Sequence, residues 1–174
     1  ETPKVEVLAP EGLSKVLSGA FPVEDLKHKP GESALVYLNE GGGPRRVLLL
    51  GAGKASGFDL EATRRFAGHA VRAAESVGVS GLTTYLGSDV SADAVQAATE
   101  GAVLAAWRFT EMKSPDEGDA PTDVEDFEVM VDPADLDTAA AGVRVGDVVG
   151  RAANFARTLQ SRPGNVATPS HLAD

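Results

Sequence analysis

The sequence predicts an α/β domain. Apolar segments of strand length alternate with amphipathic segments of helix length, and Gly/Pro clusters stand between them. With 43% apolar residues among 174, the chain can bury a core and falls within the size of one domain.

Taken in order, strands are expected at 4–9, 34–38, 46–50, 82–86 and 127–131. Several are continuous apolar runs, as expected for strands covered on both faces. Turns are expected at Lys29-Pro30-Gly31, at 41–44 and at Asp132-Pro133, where Gly supplies unusual backbone angles and Pro presets φ. The clearest helix starts after Asp59 and ends at Gly78. Its apolar stripe is Leu60, Thr63, Ala67, Ala70, Val71, Ala74 and Val77, with Glu61, Arg65, Arg72 and Glu75 on the other faces. Asp59 suits an N-cap and Gly78 the left-handed residue after the helix.

A second helix is expected from Ser91, its cap, to about Trp107. Its small residues Ala94, Ala97, Ala98, Gly101, Ala102, Ala105 and Ala106 would let it lie close to a sheet. A last helix is expected between 139 and 159, burying Val145, Val148, Val149, Ala152, Phe155 and Leu159 and pairing Asp147 with Arg151. Gly142, Gly146 and Gly150 weaken the helix signal near its start, since interior Gly disfavours the conformation. Trp107 reads as a packing anchor, in core or interface.

Composition narrows the chemistry. No cysteine is present, which removes disulfides, thiol nucleophiles and Cys-ligated zinc, and fits a cytoplasmic protein. A formal charge of −10 argues against a nucleic-acid partner, whose binding relies on Lys and Arg replacing counterions. No apolar run approaches the roughly 18–20 residues that cross a bilayer, so no membrane partner is expected. Seven acids against one lysine fall within 111–126, which reads as a solvated loop.

Candidate motifs are weak. The stretch RRVLLLGAGKASGFD (45–59) has the strand, Gly-rich turn and helix layout of a phosphate-binding loop. A Walker A loop, however, would need Gly where Leu48 stands and Ser or Thr where Ala55 stands. Gly51, Gly53 and Gly57 approach a dinucleotide fingerprint, but the helix begins too late for Gly57 to lie in its first turn, so a structural turn is expected. His28, His69 and His171 lack metal-ligand spacing and read as surface residues. No serine sits in a G-x-S-x-G elbow. The carboxylates Asp123, Glu125, Asp126, Asp135 and Asp137 offer at most an adventitious cation site. The residues therefore nominate no catalytic, cofactor-binding or metal-binding position.

Four segments, in order, resemble the N-terminal domain of the leucyl (cytosol) aminopeptidase family. They are GESALVYLNEGGGPRRVLLLGAGK (31–54), FDLEATRRFAGHAVRAA (58–74), EGAVLAAWRF (100–109) followed by Met112-Lys113, and ANFARTLQSRPGNVATPSHLA (153–173). The last is the strongest, through Pro163, Asn165, Thr168, Pro169 and Leu172. Ser161 and Gly164 depart from the commoner family text. The resemblance implies a macro-domain-like three-layer α/β/α sandwich with a mixed, mostly parallel sheet. It implies an accessory domain over 1–160 and, over 161–174, a linker entering a catalytic domain, with Thr168-Pro169-Ser170 opening a further helix.

The parent activity implied is release of N-terminal residues from peptides by two divalent metals, zinc or manganese, held outside these residues. The implied partners are the chain's own catalytic domain and sister subunits of a homo-hexamer. The Asn-Thr-Asp-Ala-Glu-Gly-Arg run that marks the family's catalytic domain is not in these 174 residues, so no catalytic position carries over. The alternative expectation is a free-standing macro-like module binding ADP-ribose or another nucleotide at 51–58.

Overall fold

The computed structural model describes residues 9–20, 29–38, 44–88, 90–112 and 122–170. The expected strand at 4–9 and the turn at 41–44 lie almost wholly outside them. The elements are α1 (Glu11–Ala20), β1 (Ser33–Tyr37), β2 (Arg46–Leu50), α2 (Leu60–Ser76), β3 (Gly81–Tyr85), α3 (Ala92–Ala106), β4 (Asp126–Met130) and α4 (Leu136–Ser161). The class is α/β. β1 and β2 pair antiparallel, from Ser33 opposite Leu50 to Tyr37 opposite Arg46. β3 and β4 pair parallel, from Gly81 opposite Asp126 to Tyr85 opposite Met130.

Local signals act where the sequence put them. The Asp59 carboxylate accepts the Ala62 N–H at 2.8 Å, and the Ser91 hydroxyl accepts the Ala94 N–H at 3.2 Å. α2 ends in a Schellman motif: Gly78 has φ +68°, its N–H donates to the Glu75 carbonyl, and the Val79 N–H donates to the Ala74 carbonyl. At the first turn, Gly31 has φ +84° behind Pro30, and the Glu32 N–H donates to the Lys29 carbonyl, the pattern of a type II turn. α1 is an element the sequence reading did not anticipate. Leu13, Val16 and Leu17 carry its helical spacing, and Leu17 is buried.

The strands are less enclosed than their apolar text suggested. β4 alternates, with Phe127 and Val129 inward and Met130 exposed, as in a sheet open on one face. α2 lies against β2 and β3, while α3 touches β4 only lightly.

The small residues of α3 serve mainly another purpose. They let α2 and α4 approach α3 on two sides, rather than letting α3 approach a sheet. A Cβ on Gly101 would collide with the Arg64 carbonyl of α2. On the other flank, a Cβ on Gly142 would collide with the Ala92 carbonyl. One on Gly146 would lie 2.7 Å from the Gln96 carbonyl oxygen, and one on Gly150 would lie 2.8 Å from a Val103 methyl. Gly142, Gly146 and Gly150 are all buried. They form a contact row one helical turn apart, so the glycines that weakened the helix expectation near its start are what seat the helix. The helix starts at Leu136, before the expected 139.

The same contact reverses the predicted face of α4. Val145, Val148, Val149 and Phe155, expected inside, are exposed, because the glycine row has taken the inward position. Interior Gly costs roughly 0.5–1 kcal/mol relative to Ala, and here the closer packing offsets it.

Gly146→Ala should therefore lower stability by about 1–3 kcal/mol despite alanine's better helix propensity, because the added methyl pushes α4 off α3. Gly12→Ala in α1, where among the described residues no atom beyond its chain neighbours and its own helix backbone lies within 4 Å of the new methyl, should raise it by about 0.5 kcal/mol. Urea unfolding of the two variants checks the opposite signs.

Candidate functional site

Two hollows, one buried ion network and one helix end concentrate the chemistry of the described residues. The first hollow, about 220 Å³, lies on the Gly-rich turn and is lined by Pro30, Gly53, Lys54, Phe58, Arg65 and His69 among others. The 3₁₀ turn Ala55–Gly57 precedes Asp59, so Gly57 stays outside α2, as its spacing indicated. Gly53 has φ +80° and packs on Pro30, which accounts for glycine there without a ligand. Phe58 and Phe66 meet edge to face at 5.9 Å, and Arg65 leans on Glu61 at 3.6 Å. This is a strand-to-helix turn closed by aromatic packing. His69 is exposed, as expected for the polar side of α2, with its ring edge over Gly31, while His28 and His171 lie outside the described residues.

The second hollow, about 380 Å³, lies where the N-termini of α2 and α3 meet the end of β3. Its lining includes Leu86, Val90, Thr63, Ser88, Asp59 and Ser91. Helix N-termini attract anions through unpaired N–H groups, yet here the Asp59 and Ser91 side chains already accept from those groups.

Two buried carboxylates lock α2 to α3 and to the irregular segment that follows it. Glu100, 6% exposed, accepts from Arg64 of α2 at 2.8 Å and from the Gln96 amide at 2.8 Å. Burial pushes the Glu100 carboxyl upward, but Gln96 and Arg64 together outweigh it and leave the group below the ordinary glutamate value. Arg64 is in turn raised, chiefly by its hydrogen bond to Glu100. Glu75, read from the sequence as a polar-face residue, is also buried, because Arg108 at 2.9 Å and Arg72 at 3.3 Å reach it. Arg108 continues to Asp123 at 3.2 Å.

The last turn of α3 is capped by α4. Asn154 donates to the Val103 carbonyl at 2.8 Å and Arg157 to the Leu104 carbonyl at 2.9 Å, satisfying acceptors that the helix itself cannot. Trp107 donates its indole N–H to Thr158 at 3.1 Å, and the Arg157 guanidinium sits 4.0 Å from the ring centre. Trp107 is thus an internal anchor between two helices. Nothing in the spacing of 103–107 and 154–158 announced this, since the pairs are some 50 positions apart.

The acidic stretch is partly engaged. Glu111 holds Arg162 at 2.7 Å and Asp123 holds Arg108, while 113–121 lie outside the described residues. Asp135 occupies the N-cap position of α4 and Asp137 its first turn, favourable places for carboxylates. Among the described residues no group of three or more His, Cys, Asp or Glu could hold a metal ion. The two divalent metals implied by the resemblance do not fit this side-chain set. Among the described residues no helix is long and apolar enough to cross a membrane.

Comparison with known proteins decides the family. The family model described as "Cytosol aminopeptidase family, N-terminal domain" matches residues 1–116. The chain belongs to that family. It is 32% identical over 167 residues to a probable cytosol aminopeptidase of Roseiflexus castenholzii, covering 94% of this chain and 34% of that protein. It is 35% identical over 167 residues to one of Parasynechococcus marenigrum, covering 91% and 32%. It thus spans about a third of the length of the curated relatives it matches. Among solved structures, the bottromycin maturation enzyme BotP superposes with a TM-score of 0.69 at 26% identity over 95% of this chain and 33% of that one. A tomato leucine aminopeptidase mutant superposes with a TM-score of 0.69 at 23% identity, over 93% and 32%, and shows the shared fold. The match leaves the free-standing nucleotide-binding module without support.

Glu100 supplies a pH test. A carboxyl depressed in the folded state stabilises above its unfolded value and loses that contribution as pH falls through the folded value. At pH 7, Glu100→Gln should lower stability by about 2 kcal/mol, the scale of a charged hydrogen bond lost from a buried site. The gap should narrow as pH falls below about 4.3, the ordinary glutamate value. Unfolding free energies of both proteins from pH 7 to pH 3 check this.

Proposed function

We propose that this chain is the non-catalytic, N-terminal accessory domain of a metal-dependent leucyl aminopeptidase that releases N-terminal residues from peptides. One observation carries the reading: the N-terminal family model fits the chain, while the curated relatives are about three times as long. The catalytic residues and the two divalent metals, zinc or manganese, then belong to the polypeptide that follows. Manganese draws support from the BotP structure solved in complex with Mn. Residues 1–160 form the accessory unit and 161–174 the hand-over, supported by α4 ending at Ser161 and the chain turning at Pro163, with helical backbone resuming at Pro169.

The domain's contribution is to assembly and to access to the active sites, in a homo-hexamer by resemblance. A cytoplasmic location is supported by the name that the relatives carry.

Purified 174-residue protein should not hydrolyse leucine p-nitroanilide above the metal blank with Mn²⁺ or Zn²⁺. The longer protein read from the same frame should do so, and lose the activity to a chelator. Chelator-sensitive turnover by the 174-residue chain itself would overturn the proposal.

A further inference from the structure

Six of the eleven large apolar side chains exposed among the described residues lie on α4. Four of these form one stripe: Val145 (48% exposed), Val148 (67%), Val149 (44%) and Phe155 (65%). At about 100° per residue, the stripe sits roughly a third of a turn around the helix from the Gly142, Gly146 and Gly150 row. The packed face and the exposed apolar face of α4 are therefore different faces.

We propose that this stripe is the seat on which the following domain of the same full-length protein docks, through an apolar surface of its own. The proposal rests on the reading of this chain as the N-terminal part of a longer aminopeptidase. Three observations favour that occupant. The chain covers only 30–34% of its curated relatives and matches their N-terminal domain, so most of their length follows it. α4 is the last long element before the hand-over, so its face is within reach of what comes next.

The second observation is area. Four partly exposed side chains offer on the order of a few hundred Å². A separate protein needs about 800 Å² per partner for a stable contact. A tethered domain, present at roughly millimolar effective concentration, needs much less.

The third is chemistry and rigidity. Arg151 beside the stripe is already bound to Asp147 at 2.7 Å, so the rim asks for no charge from the occupant. The back of α4 is fixed to α3 by the glycine row and by Asn154, Arg157 and Thr158. The stripe is thus a preformed ledge, and docking on it orders little.

The chain has no cysteine, so single thiols can report on the face. Val148→Cys, Phe155→Cys and the exposed reference Arg65→Cys are made in the full-length protein and in the 174-residue chain. Each is labelled with a hydrophilic maleimide and read by peptide mass spectrometry. In the full-length protein, positions 148 and 155 should label at least about tenfold more slowly than position 65, as protected sites do. In the 174-residue chain the three should label at similar rates.

Equal rates at all three positions of the full-length protein would overturn the proposal, and the internal reference makes that result readable without the shorter chain. Protection in the 174-residue chain that disappears on dilution would assign the stripe to a second copy, and would also overturn it. Leucine p-nitroanilide hydrolysis is measured on the same full-length samples. Protection without hydrolysis leaves docking standing and removes the enzymatic reading, and hydrolysis without protection does the reverse.

Discussion

Everything in the helix layer depends on how closely α3 can be approached, and four missing Cβ atoms set that distance. Gly101 admits the backbone of α2 at Arg64, and Gly142, Gly146 and Gly150 admit α4 along Ala92, Gln96 and Val103. Interaxial distance in helix pairs follows the size of the side chains at the contact, and glycine gives the shortest. With helices this close, the interior needs few large residues. Among the described residues, the buried core of these helices consists largely of Ala67, Ala70, Ala74, Ala97, Ala98 and Ala102, with Val71 and Val95 as its largest members.

Close approach also makes the polar links feasible. Glu100 reaches Arg64, Asn154 and Arg157 reach the last carbonyls of α3, and Trp107 reaches Thr158 because the backbones are near one another. A buried carboxylate is costly unless paired and hydrogen-bonded. Glu75 and Glu100 meet that condition, each held by an arginine and by a further donor. These pairs serve the seam between elements rather than any reaction. Their charges are satisfied by each other.

The family was legible in the text, above all in the closing segment around Pro163 and Pro169. So were β1 to β4 and the three long helices, because periodicity and caps are local. Asp59 and Ala62, Ser91 and Ala94, and Glu75 and Gly78 each lie three positions apart, so their roles follow from chain geometry alone. α1 was missed because it is short and is interrupted by Gly12 and Ser14, which leave only Leu13, Val16 and Leu17 to mark it. The late start of α2 after the Gly-rich turn was legible as well, and it leaves Gly57 outside the helix.

By itself, then, the sequence determined the α/β class, the caps of α2 and α3, and the family. Only the tertiary structure decided which face of α4 is inside, that Glu75 and Glu100 are buried, and that Trp107 ties two helix ends together. The physical reason is one of range. A cap is decided within one turn of chain, whereas Gly146 acquires its meaning from Gln96 and Thr99, residues nearly fifty positions away. Valine and phenylalanine outnumber glycine in any count of apolar character along α4. The inward face nevertheless went to glycine, because the shape of α3 rewards closeness over side-chain bulk.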